Sequence, residues 1–215
     1  MNARRRNLLG AAIIAVTGLA GVALMGRLPE QVAIHFGPSG QPDNYVGKLL
    51  ALALIPALQA VMLAMFAILP RIDPLGENIQ KFGDMYNWLV LVIIGFLGYI
   101  HGVVLLWNIG YEFAVMQAVV PAIAVLYYFI GMVMERAEQN WFVGIRTPWT
   151  LSNEEVWQNT HALGGTLFKI AAVIALGGLV LPQYAVVLIA GPAALLAVVT
   201  TVYSYWDYRR VTQEA

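Results

Sequence analysis

Six stretches of the chain stay apolar for about 20 residues each, the length a helix needs to cross a bilayer. They fall at roughly 7–27, 48–69, 85–107, 114–134, 163–181 and 184–206. Runs such as LLALALIPALQAVMLAMFAIL show no period of two, so the pattern predicts helices and not the strands of a barrel. The expected fold is all-α: a polytopic membrane protein with six transmembrane helices, forming one membrane domain over residues 1–215. The first window has the basic start of a signal peptide, but its apolar run of about 19 residues exceeds the usual hydrophobic region of about 7–15, which predicts a retained signal anchor.

Two polar segments interrupt the apolar pattern. Across residues 28–48, Val32, Ile34 and Phe36 alternate with Gln31, Ala33 and His35, which predicts a short strand. Gly37, Pro38, Gly40, Pro42 and Asp43 follow as turn residues, so a small folded cap is expected here. The second segment, residues 136–162, contains NWFVGIRTPWTLSNEEVWQNTH. Gly144 and Pro148 forbid a continuous helix through it, because proline keeps Thr147 out of the α region. Ser152 followed by Glu155 has the spacing of a capping box and predicts a helix start at about Ser152.

Composition strengthens the membrane reading. The chain is 60% hydrophobic and 11% charged, with a mean hydropathy of +0.72, where soluble domains carry about 25% charged residues. Charge then orients it. Placing the N-terminus inside puts nine basic residues in the cytoplasm (Arg4, Arg5, Arg6, Arg71, Lys81, Arg136, Arg146, Arg209, Arg210) against two outside, Arg27 and Lys48. That asymmetry predicts cytoplasmic N- and C-termini, an extracytoplasmic loop at 28–48 and a cytoplasmic loop at 136–162. Net charge is zero and no basic patch suggests direct contact with nucleic acid. The chain has no cysteine, which excludes disulfides and thiolate chemistry.

Candidate chemistry is sparse. Trp157, His161, Gly165 and Lys169 recur every four residues and form one helix stripe, with Gly164 and Gly165 leaving room for another backbone or a small ligand. The alternative is that Lys169 snorkels and His161 sits at headgroup level. Arg146 admits two readings, a clamp on loop carbonyls or lipid phosphate, and a planar fork offered to a carboxylate or phosphate. Trp141, Trp149 and Trp157 read as interfacial anchors or as a cation cage.

Within the spans, His101 beside Gly98-x-x-x-Gly102 is an intramembrane ionisable group, read either as a site or as an interhelical hydrogen bond. Asn87 and Asp84 sit at the start of the same helix. Glu30, His35 and Asp43 form too irregular a set to predict a metal site. No phosphate loop, zinc motif or nucleophile setting occurs, so neither a cofactor nor an enzymatic activity is expected.

The two polar motifs carry a resemblance. LPEQVAIHFGPSGQPDNYVGK is similar to the extracytoplasmic motif of the domain of unknown function numbered 1648, and NWFVGIRTPWTLSNEEVWQNTH followed by ALGG resembles the signature of the SdpI family of prokaryotic membrane proteins. Matching positions are Leu28, Pro29, His35, Gly40, Asp43 and Lys48 in the first, and Asn140, Gly144, Arg146, Thr147, Pro148, Thr150, Trp157, Thr160 and His161 in the second. The family often has Arg where this chain has Ala162, which lightens the charge of the second motif. The resemblance implies a multi-pass protein of the prokaryotic plasma membrane, surrounded by lipid. It further implies protection against a secreted peptide toxin and capture of a cytoplasmic repressor. The partner-binding positions it suggests are His35, Asp43, Asn140, Arg146, Thr147, Trp149, Thr150, Trp157, His161 and Lys169. The rival expectation is a small transporter or channel, with His101, His161, Lys169 and Asn87 along its path.

Overall fold

A computed structural model describes residues 1–37 and 40–213. Six of its helices are long and apolar enough to span a membrane. In chain order the elements are α1 (Ala3–Leu24), a hairpin of β1 (Gln31–Phe36) and β2 (Pro42–Gly47), α2 (Lys48–Ile72), the short α3 (Gly76–Lys81), α4 (Gly83–Asn108), α5 (Val115–Met134), the short α6 (Pro148–Ser152), α7 (Glu154–Leu176) and α8 (Ala185–Gln213).

The spanning helices form two trios. α1, α2 and α4 pack on one another, α5 packs along α7 and α7 along α8, and the α4–α5 contact joins the two groups. Up-and-down threading leaves the N-terminus, α3, α6 and the C-terminus at one end of the bundle and the hairpin at the other. Large apolar side chains such as Val16, Leu19, Val61, Val125, Val173 and Val187 point outward, as expected where the solvent is hydrocarbon. The core between the helices is centred on Phe66, Ile79, Tyr86, Val90, Ile94, Val133 and Trp157.

α5 and α7 cross at very short range because neither has a side chain there. A Cβ on Gly131 would lie 2.7 Å from the Gly165 carbonyl, and one on Gly165 would lie 2.8 Å from the Gly131 carbonyl. The gap foreseen at Gly164 and Gly165 is thus filled by the protein itself, by the Ile145 side chain at Gly164 and by the Gly131 backbone and Glu135 side chain at Gly165. Just beyond the crossing, Lys169 reaches both carboxylate oxygens of Glu135 at 2.6 Å, so the lysine is held in an ion pair between α7 and α5.

The hairpin extends the sequence expectation. The strand expected near Val32 is present, but Pro42 and Asp43, read as turn residues, belong to a second strand paired antiparallel to the first, with Ala33 opposite Tyr45 and Gln31 opposite Gly47. Pairing supplies what local propensity lacks. Proline is accommodated because it opens the strand at its edge. Pro38 and Ser39 lie outside the described residues. Leu28 and Val32 seat the hairpin on Ala51 of α2 and Leu105 of α4, and Phe36 meets Trp107 edge-on at 5.1 Å.

Candidate functional site

The segment 136–161 folds into a loop locked by its own polar side chains. Asn140 is fully buried. Its Oδ1 accepts from the amides of Phe142 (2.9 Å) and Val143 (2.6 Å), while its Nδ2 donates to the carbonyls of Glu138 (2.8 Å) and Val143 (2.9 Å). One amide side chain therefore satisfies a whole turn that has no secondary structure.

The turn ends at Gly144, whose φ of +125° suits glycine. A Cβ there would come 2.3 Å from His161 Nε2. The approach is used: the Ile145 amide donates to that nitrogen at 2.9 Å. Since Nε2 accepts, Nδ1 carries the proton and donates to the Trp157 carbonyl at 2.8 Å, so His161 is a neutral imidazole of defined tautomer. Its ring stacks on Trp157 with centroids 3.9 Å apart.

Trp157 is 0% exposed and His161 1% exposed. The tryptophan expected at the interface is a core residue, its Nε1 donating to the Ala137 carbonyl at 2.6 Å, and His161 lies beside it facing the protein, not at the alternative headgroup level. Of the three tryptophans, Trp141 is open, at 49% exposure, and Trp149 packs against Tyr205 at 5.1 Å.

The expected capping box is also displaced. Thr147 caps α6 and Thr150 returns the bond, the Thr147 amide donating to Thr150 Oγ1 at 2.9 Å, and Pro148 opens the helix. Ser152 instead lies in the last turn of α6, and Asn153 caps α7 through the Val156 amide. The extended Asn153 backbone, which breaks the helix after Ser152, rules out the start expected at Ser152. Thr147 additionally donates to Ser204 of α8 at 3.0 Å, fastening the loop to the last span.

Of the positions expected to bind a partner in this loop, Asn140, Thr147, Thr150, Trp157 and His161 are thus buried and internally bonded. Arg146 differs. It is exposed and, among the described residues, makes one bond, from Nη1 to the Trp141 carbonyl at 3.0 Å, which leaves most of its guanidinium donors open to a partner. The arrangement is a rigid, internally satisfied loop that presents Arg146 and Trp141.

Several carboxylates that shape this end were missed by sequence reasoning. Buried Asp73 accepts from the amides of Leu75 (2.7 Å) and Trp141 (2.9 Å), tying the α2–α3 turn to the loop. Asp207, fully buried, binds Asn159 at 2.9 Å and Arg210 at 2.8 Å. A carboxylate inside an apolar helix was the available signal for Asp207; its partner on α7 was not visible in one dimension.

The residues proposed for a transport path are dispersed. Asn87 accepts from buried Arg6 at 3.0 Å and donates to the Met1 carbonyl at 2.7 Å, in the first trio at the N-terminal end. His101 lies farther along α4, 2% exposed, and its Nε2 has no partner among the described residues, so no interhelical bond is made through that nitrogen. His161 and Lys169 belong to the second trio. At the hairpin end, His35 Nδ1 and Asp43 Oδ1 lie 2.5 Å apart, both well exposed, while Glu30 pairs with Lys48 at 2.9 Å and not with them.

A bundle of six membrane-crossing helices, with a β-hairpin on one end and a self-bonded polar loop on the other, defines the class: a polytopic membrane protein whose two polar motifs lie at opposite ends. The model of the SdpI/YfhL protein family matches residues 136–204, and that of the domain of unknown function DUF1648 matches residues 12–60. The immunity protein SdpI of Bacillus subtilis (strain 168) is 25% identical over 208 residues, covering 96% of this chain and 98% of that protein. The chain is thus similar to the SdpI family in its second polar motif and the spans after it, to DUF1648 around its first, and to one SdpI protein along nearly its whole length. No solved structure shows a significant match.

Proposed function

We propose that the protein protects its host against a secreted peptide toxin, met at the hairpin outside the plasma membrane, and that the loop at 136–162 reports the encounter by holding a cytoplasmic repressor. The single observation that carries this reading is the division of labour between the ends. The hairpin offers an exposed His35–Asp43 pair, and the opposite loop is self-satisfied except for the outward Arg146. A bidentate cation on a rigid loop suits recognition of a partner carboxylate. The positive-inside asymmetry supports the orientation.

The test is survival of a sensitive host expressing each variant under challenge with the secreted-peptide fraction of the native strain's culture supernatant, alongside a repressor-controlled reporter and surface abundance. His35→Ala and Asp43→Ala are expected to lose survival and reporter output together, because they remove the input. Arg146→Ala is expected to lose reporter output while retaining protection. Equal loss of survival for outer and inner variants at equal abundance would overturn the two-sided reading.

A further inference from the structure

We infer that the outer edge of β2, at Tyr45 and Gly47, is a docking edge that takes an extended peptide as a third strand. The inference rests on the immunity reading and names the chemistry by which the hairpin would hold its peptide.

The argument begins at the opposite edge. Asn108, at the end of α4, accepts from the Ala33 amide through Oδ1 and donates to the Ala33 carbonyl through Nδ2, both at 2.9 Å. Its carboxamide therefore stands where a neighbouring strand would, and closes the β1 edge. The same bonds set the parity of the ladder. Both backbone groups of Ala33 point away from β2, so Ala33 and Tyr45 are a non-hydrogen-bonded pair, and Tyr45 must direct its own amide and carbonyl away from β1. Gln31 and Gly47, two positions along, share that parity. The Lys48 amide donating to the Glu30 carbonyl at 3.0 Å fits the alternate, inward class.

The β2 edge thus carries an outward donor and acceptor at Tyr45 and a second outward donor at Gly47, whose carbonyl, at the N-cap of α2, belongs to the first turn of that helix. Asp43, Asn44, Tyr45 and Gly47 are all exposed. Proteins usually blunt such an edge or use it, because unpaired backbone groups at strand spacing are a template for another strand. Amides two residues apart with a carbonyl between them select an extended peptide backbone, largely irrespective of its side chains. A lipid or small ion has no matching row of groups.

Gly47 allows a clean test. Its φ of −59° and ψ of 144° suit proline, and a Cβ there meets nothing within 4 Å. Gly47→Pro removes the outward donor without taking an amide from the ladder, whereas Gly47→Ala keeps it. Tyr45→Pro against Tyr45→Ala is the second pair, used if either Gly47 variant falls in abundance. The readouts are the protective titre against the secreted-peptide fraction of the native culture supernatant, and single-residue amide exchange of the purified protein with and without that fraction.

The expected result is that wild type and Gly47→Ala protect equally and Gly47→Pro protects about two- to tenfold less at equal abundance, the range for one lost hydrogen bond. In the free protein the Tyr45 and Gly47 amides should exchange fast and Val46 slowly, with the first two slowing when the peptide fraction is added. Equal titres for the proline and alanine variants would overturn the docking edge while leaving the immunity reading standing. Slow Tyr45 and Gly47 exchange in the free protein together with a dimeric mass would assign the edge to a second copy and also overturn it. Absence of protection by wild type and Gly47→Ala alike would remove the immunity reading, and this inference with it.

Discussion

Gly144 and His161 touch by design of the backbone: with φ at +125°, Gly144 lets the loop pass so close to the imidazole that an added Cβ would stand 2.3 Å from Nε2. Gly144→Ala must therefore both adopt a disfavoured conformation, costing about 1–3 kcal/mol, and push the histidine off the Ile145 amide. A lower unfolding midpoint of the detergent-solubilised protein is expected. Gly40 supplies the comparison, since it also has positive φ but meets nothing within 4 Å of a built Cβ; Gly40→Ala should cost the conformational part alone.

His161 itself makes one bond as acceptor and one as donor, both to backbone, in a fully buried place. His161→Ala leaves the Ile145 amide unpaired, at about 1–3 kcal/mol for the stranded group, besides the lost stacking on Trp157. The expected outcome is a less stable protein whose defect appears in heat-challenged size-exclusion profiles before any partner is added. A variant with wild-type stability and lost reporter output would instead make His161 a contact residue.

Arg146 makes the opposite prediction. Exposed and singly bonded, it is expected to change stability by no more than about 0.5 kcal/mol on substitution. If its planar fork is what a partner reads, Arg146→Lys should lose most of the reporter output that Arg146→Ala loses. Wild-type output from the lysine variant would reduce Arg146 to a charge near the headgroups.

These contrasts show what a one-dimensional reading reaches. The six spans were legible because apolar length is a local property, and so was the small-residue gap at Gly164 and Gly165. Trp157 was not. A tryptophan near a helix start reads as an interfacial anchor, and its burial depends on Ala137 and Gly144 arriving from the preceding loop. β2 was hidden for a similar reason, since Pro42 and Asp43 favour turns until pairing with β1 overrides them. Lys169 was noticed, but Glu135, which holds it from α5, was not. The loop motif was recognisable by its residue types, yet those types mostly build the scaffold and leave little of it for contact.

The Glu135–Lys169 pair is the clearest link between α5 and α7 outside their glycine crossing. Both side chains are partly exposed, at 38% and 30%, so its coupling is expected to be about 1 kcal/mol or less. Glu135→Lys and Lys169→Glu should each lower heat stability through like-charge repulsion, and the double reversal should recover most of the loss. Failure of the double variant to recover would mean that the glycine contact alone sets this crossing.

Asn108 offers the most direct test of how the hairpin is coupled to the bundle. Its carboxamide holds Ala33 by donor and acceptor together and donates also to its own helix at the Val104 carbonyl, 2.8 Å away, so the side chain is fixed before β1 arrives. Asn108→Asp retains the acceptor for the Ala33 amide but faces the Ala33 carbonyl with an oxygen, and Asn108→Leu keeps bulk while removing both bonds. Each is expected to speed exchange of the Ala33 amide in the purified protein, Leu more than Asp, because only Leu deprives that amide of its acceptor. The His161 network, at the far end and in the other trio, should be unchanged, with Ile145 exchange as the internal reference. The apolar seating of Leu28 and Val32 on Ala51 and Leu105 remains in both variants, so the hairpin should stay attached while its register loosens. Unchanged Ala33 exchange in Asn108→Leu would show that this seating alone positions the hairpin. Ile145 exchange rising in step with Ala33 would show that the two ends of the bundle open as one cooperative unit.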